Sequence, residues 1–180
     1  MSVGREFGGE EIAVTASKLF VVGVDGSEAS RRALKWALAE ARVRGGSVSA
    51  VMVWQSRSVL AGPAPLMMNP RLAPHEVRDQ HWKELKRIVA ECLAGASTPE
   101  LQESLVEGHP EEVLAEKAAG AAMLVLGDRG HGGHARLGST TLRCIHNARC
   151  PVLIIPAGFE IGKFGPDTAR ASEVVDPVLG

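Results

Sequence analysis

Leu19–Ser27 reads LFVVGVDGS, an apolar, valine-rich run that ends abruptly in Asp25, Gly26 and Ser27. A continuous run of this kind, with no alternation of apolar and polar residues, is the pattern of a strand buried on both faces. Gly26 turns the chain, and Ser27 stands where it can cap a helix whose Leu34, Ala37, Leu38 and Ala41 recur at helical spacing. Strand, tight turn and helix make one β–α unit.

The unit repeats along the chain. Gly45 and Gly46 stop the helix, and SVSAVMVW (Ser47–Trp54) predicts a second strand. Residues 55–74, rich in Pro, Met and Arg, form a connection long enough to lie over a site. His75–Ala94 carries Trp82, Leu85, Val89 and Cys92 on one helical stripe, with Lys83, Lys86 and Arg87 largely off it, which predicts an amphipathic helix. LQESLVEG (Leu101–Gly108) alternates like a less buried strand, and Pro110 opens a helix where proline sacrifices no hydrogen bond. AAMLVLG (Ala121–Gly127), a helix from about Ser139 to Asn147, and the strand PVLIIP (Pro151–Pro156) complete the series.

Strands separated by helices imply parallel pairing and right-handed crossovers. The predicted fold is therefore α/β: a single doubly wound five-stranded parallel sheet with helices on both faces, for which the order 3-2-1-4-5 is the expectation, not a consequence of the alternation. In that order the winding reverses between the first and fourth strands, and ligands of such sheets sit beyond the carboxyl ends of the strands at the reversal. Here those ends are Asp25-Gly26-Ser27 and Gly127.

Composition sets the remaining bounds. At 180 residues the chain suits one domain. Residues 18–157 are assigned to it, and the Gly- and Glu-rich residues 1–17 and the Gly- and Pro-broken residues 158–180 are expected to be flexible tails. With 20 basic against 21 acidic side chains and no basic block, neither nucleic acid nor an anionic membrane is the expected partner. Three Trp, four Phe and no Tyr leave little for stacking on bases. Cys92, Cys144 and Cys150 are odd in number and lack CxxC spacing, which suits reduced thiols. No apolar stretch reaches the ~18 residues of a membrane span, and no signal-peptide pattern opens the chain. A soluble cytoplasmic protein is the expectation.

The chemistry concentrates in GDRGHGGHARLGSTT (Gly127–Thr141). Glycines after a buried strand let backbone N–H groups approach an anion, and the following helix adds its positive N-terminus. Gly127, Gly130, Gly138, Ser139 and Thr140 fit that role for a di- or triphosphate; a turn that simply needs glycine fits them too. GHARLGST (Gly133–Thr140) also approaches a P-loop, but Ser139 stands where the lysine belongs. His131-Gly-Gly-His134 matches the HxGH signature of nucleotidyltransferases, although it follows the fourth strand rather than the first. No nucleophile stands with a base alongside, so any ATP hydrolysis is expected to be slow.

Taken in order, VVGVDGSEASRRALKWAL (21–38), VEGHPEEVLAEKA (106–118), LVLGDRGHGG (124–133), LGSTT (137–141) and ARCPVLIIP (148–156) resemble the universal stress protein family from about Lys18 to Pro156. In the ATP-binding branch of that family, two glycines separated by two residues are followed after nine residues by Gly-Ser or Gly-Thr; here Gly127 and Gly130 keep the first spacing but seven residues separate Gly130 from Gly138, so the loop is two residues short. The resemblance implies that Asp25 and Val53 flank an adenosine, that Gly23 replaces a side chain close to the base, and that Leu126 packs beneath it. It implies an ATP-binding, nucleotide-responsive stress regulator and a homodimer formed through residues 151–156, whose apolar edge needs covering; Mg²⁺ is left open as a companion ion. A further protein partner is left open. A dimeric interaction module without nucleotide, marked by the short loop, is the alternative; an adenylyltransferase using His131 and His134 is the third reading. Asp128 departs from the Ser or Thr common in the family. A carboxylate 4 Å from a phosphate charge costs ~4 kcal/mol at an effective dielectric of 20, unless Asp128 turns to solvent, meets Arg129 or Arg136, or holds Mg²⁺.

Overall fold

The computed structural model describes residues 17–55, 74–93, 99–128, 137–157 and 159. Their order is β1 (Leu19–Val24), α1 (Glu28–Arg44), β2 (Ser47–Trp54), α2 (Pro74–Leu93), β3 (Glu100–Glu107), α3 (Pro110–Lys117), β4 (Met123–Gly127), α4 (Ser139–Asn147) and β5 (Val152–Ile155). The five strands form one sheet in the order β3-β2-β1-β4-β5, and all four pairings are parallel. The predicted α/β fold and strand order are both present.

Alternation along the strands divides the core into two layers. Phe20, Val22 and Val24 of β1 join Val48, Ala50 and Met52 of β2 beneath α1 and α2. Val21 and Val51 face the other way and pack with Leu124 and Leu126 of β4 against Leu114 of α3 and Cys144 of α4. The central strand is thus covered on both sides, which is why its sequence shows no polar alternation. On α2 the stripe that holds Leu85 and Val89 also buries Ile88, with Trp82 and Cys92 only partly covered. Phe159, which the sequence places in the C-terminal tail, packs against the α1/α2 layer. The other positions assigned to the tails, 1–16, 158 and 160–180, and most of the 55–74 connection lie outside the described residues.

Two local devices bring α1 onto the sheet. Ser27 caps it as expected, its hydroxyl accepting from the Ser30 amide at 3.2 Å. At the other end Gly45 adopts φ 60°, the left-handed conformation that lets the chain leave a helix in one residue.

Candidate functional site

Between the carboxyl ends of β1 and β4 lies a cleft of about 290 Å³, close to the ~300 Å³ at which small-molecule pockets typically begin. Gly23, Asp25, Val53, Leu126, Gly127, Gly138, Ser139 and Thr140, all singled out from the sequence, line it together. The remaining one, Gly130, lies outside the described residues, as do Arg129, His131, His134 and Arg136.

The cleft has an apolar end and a polar end. Val51 and Val53 project from the same face of β2, and with Leu114, Leu126 and Pro110 they form a greasy wall. Gly23 keeps that wall recessed: a Cβ there would stand 2.7 Å from Cδ2 of Leu126 and 3.1 Å from Cδ1 of Leu114. Gly127 serves a different need. A Cβ on it would lie 2.6 Å from the carbonyl carbon of Ala29, so its missing side chain lets α1 lie directly on β4.

Two helix N-termini open into the polar end, and they are treated oppositely. That of α1 is already occupied: Oδ1 of Asp25 accepts from the Ser27 amide at 2.9 Å and the Ser27 hydroxyl at 2.6 Å. Asp25 therefore fixes the Asp-Gly-Ser turn while remaining exposed to the cleft. The start of α4 is bare by comparison. Its N-cap, Gly138, provides no side-chain oxygen, and no acidic residue sits in its first turn. Exposed Ser139 and Thr140 add hydroxyls there, while buried Thr141 donates to the Gly127 carbonyl at 3.1 Å and ties the helix to β4. Uncapped amides at a helix start, with the dipole behind them, favour an anion.

Asp128 does not join this surface. Only 7% exposed, it directs Oδ2 to the Ala157 amide at 2.8 Å and Oδ1 toward Nη2 of Arg32 at 3.6 Å. Of the alternatives left open for Asp128, exposure to solvent does not hold: α1 and the chain leaving β5 bring Arg32 and the Ala157 amide to its carboxylate, while Arg129 and Arg136 lie outside the described residues. Among the described residues no group of three or more His, Cys, Asp or Glu side chains could hold a metal ion, and no helix is long and apolar enough to cross a membrane.

Sequence reasoning passed over several lining residues. Val51 carried a readable signal, since it precedes Val53 by two positions and shares its face. Pro110, Leu114 and Ser30 carried none, because α3 and the first turn of α1 reach the cleft only through the crossovers.

Comparison with known proteins agrees with this architecture. Residues 17–156 match the model of the universal stress protein family. A universal stress protein of Mycolicibacterium smegmatis is 30% identical over 138 residues, covering 75% of this chain and 47% of that protein. The chain thus spans about half the length of that relative. Universal stress protein UspA of Lactobacillus plantarum shares the fold with a TM-score of 0.64 at 26% identity, over 77% of this chain and 97% of that one. A universal stress protein solved in complex with cAMP has a TM-score of 0.59 at 23% identity, over 79% of this chain and 98% of that one.

Proposed function

The chain belongs to the universal stress protein family, and from that premise we propose that its β1/β4 cleft binds ATP and that the protein is a nucleotide-responsive stress regulator. The observation that carries this reading is the convergence of eight sequence-predicted residues from β1, β2, β4 and α4 on one cleft at the reversal point of the sheet. The wall of Val51, Val53, Leu114 and Leu126 suits the flat apolar faces of a purine. Asp25, exposed between that wall and the α1 start, suits a ribose hydroxyl. The uncapped start of α4, with Ser139 and Thr140, suits the phosphates. A Mg²⁺ arriving with ATP would draw most of its oxygens from phosphate and water, as that ion ordinarily does. cAMP, the ligand of one protein of the same fold, belongs to the same chemical class.

Denaturing the purified protein and identifying any released small molecule by mass tests the ligand class directly. Titration with labelled ATP then tests the cradle. Ser139→Ala should weaken binding by ~1.5–3 kcal/mol, the worth of a hydrogen bond to a charged group, while His131→Ala and His134→Ala leave it nearly intact. Absence of any nucleotide affinity in the parent would favour the second reading, an interaction module without nucleotide, which the two-residue shortening between Gly130 and Gly138 supports. Formation of an adenylylated product that disappears in both histidine variants would favour the transferase.

The proposed partner is a second copy of the chain. The two sheet edges differ: β3 carries Glu100, Glu103 and Glu107, whereas β5 is Val-Leu-Ile-Ile with its first three residues only partly buried. Charged edges repel a neighbouring strand, and an apolar edge invites one.

A further inference from the structure

We infer that Asp128 is a positioning residue that holds the start of α4 in place for the cleft, instead of acting on a phosphate or a metal ion. Four contacts from described residues meet there. Its amide donates to the Ile155 carbonyl at 3.0 Å, and its carbonyl accepts from the Gly138 amide at 2.9 Å. Its carboxylate accepts from the Ala157 amide at 2.8 Å and lies 3.6 Å from the Arg32 guanidinium. The residue therefore joins four parts of the fold: the end of β4, the end of β5 with the chain beyond it, the body of α1, and the N-cap of α4.

The geometry explains why a carboxylate is used there. Asp128 and Gly138 both belong to the glycine-rich stretch, and the bond between their backbones ties the end of β4 to the N-cap of α4. Gly138 caps α4 without a side chain, which leaves the direction of the first-turn amides to whatever fixes Gly138. Asp128 is that anchor, and among the described residues its carboxylate meets two elements, Oδ2 accepting from the Ala157 amide and Oδ1 paired in charge with Arg32. A serine or threonine hydroxyl at this position has a single oxygen and no charge for that pairing. Burial sharpens the dependence, because a carboxylate withdrawn from water is retained only with donors around it. The inference deepens the nucleotide reading and rests on it only for the ligand half of its test.

The test combines amide hydrogen exchange with titration of AMP and ATP, each with and without Mg²⁺, on the parent, Asp128→Ala, Asp128→Asn and Arg32→Gln. In Asp128→Ala the Ala157 amide, which loses its acceptor, should exchange about tenfold faster relative to those of β1, and in both Asp128 variants the Gly138 amide should exchange faster as the backbone carbonyl that it donates to loses its fixed position. ATP affinity should fall about tenfold, more than AMP affinity, and equally with and without Mg²⁺. Arg32→Gln should act in the same direction, and combining it with Asp128→Asn should add little, as for two halves of one contact. If Asp128→Ala does not fold, Asp128→Asn, which keeps the shape and an acceptor for Ala157 but not the charge that faces Arg32, decides the matter at Gly138. Unchanged exchange at Gly138 overturns the inference. So does faster exchange with ATP affinity unchanged, a rise in ATP affinity, which would mean repulsion, or a loss seen only with Mg²⁺, which would mean metal ligation. A parent that binds no nucleotide removes the functional reading, and the exchange result still decides whether Asp128 anchors α4.

Discussion

Gly23 and Gly127 sit on adjacent strands of the same cleft, yet an alanine should be felt differently at each. At Gly127 the new Cβ meets the Ala29 backbone at 2.6 Å, and a helix backbone yields only by moving the helix. Gly127→Ala should therefore cost ~1–3 kcal/mol of stability, the usual range for overpacking, read from the midpoint of denaturant unfolding. At Gly23 the obstacles are side-chain termini of Leu126 and Leu114, which can rotate. Gly23→Ala should cost less stability and more nucleotide affinity, because those leucines have the cleft to move into; equal unfolding losses in the two variants would contradict the distinction. Cys144 illustrates burial acting on chemistry. With no exposed surface, its thiol is pushed up to about 11 by burial, and the charge of Glu111 adds to the shift. Alkylation by iodoacetamide at pH 8 should spare Cys144 in the folded protein and reach it on unfolding, since the thiolate is the reacting form. Peptide mass mapping checks this.

At the scale of elements, the ion pairs decide which helices are clamped together. Arg31 of α1 lies within 3.6 Å of both Glu84 and Glu91 on α2, and Arg87 reaches the same two carboxylates, so the helices of one face share a charge network. On the other face Arg143 of α4 donates to Glu111 of α3 at 2.7 Å. That hydrogen bond holds the Glu111 carboxyl below its ordinary value of 4.5, with the Arg143 charge helping. A carboxyl whose folded value is depressed contributes stability above its unfolded value, and the contribution is lost as pH falls through the folded one. The pair should therefore stabilise the protein at neutral pH and cease to do so in acid, below pH 4.5. Its size is limited to ~1 kcal/mol or less because Arg143 stands 66% exposed and water screens it. Following the Glu111 carboxyl by NMR in the parent and in Arg143→Gln checks the sign: the titration should move to higher pH in the variant. A titration that stays in place would show that the pair does not form in solution.

For the whole molecule, the unequal sheet edges set the expected assembly. Leu124 donates to the Pro151 carbonyl and Asp128 to the Ile155 carbonyl, so positions 151, 153 and 155 address β4 and positions 152 and 154 address the open side. Sedimentation at micromolar concentration should show a dimer. Val152→Pro removes an outward amide at the first residue of the strand, where proline is tolerated, and should shift the population toward monomer while circular dichroism stays native. A parent that sediments only as monomer would remove the proposed dimer.

The alternation of strand and helix, the caps of α1 and the glycines and hydroxyls at the strand ends were legible because each depends on periods and turn residues that neighbours along the chain supply. Val51 was legible in the same way, two positions from Val53. Asp128 was not, and neither were Leu114 or Ser30. A side chain's direction at the end of a strand depends on which donors the crossovers bring near, and Asp128 lies 29 positions from Ala157 and much farther along the chain from Arg32. Sequence by itself determined that a glycine-lined reversal point exists and which backbone segments meet there. Tertiary structure alone decided which way the carboxylate faces, because a buried carboxylate is retained only beside donors and opposite charge, here the Ala157 amide and Arg32, and their positions belong to the packed fold.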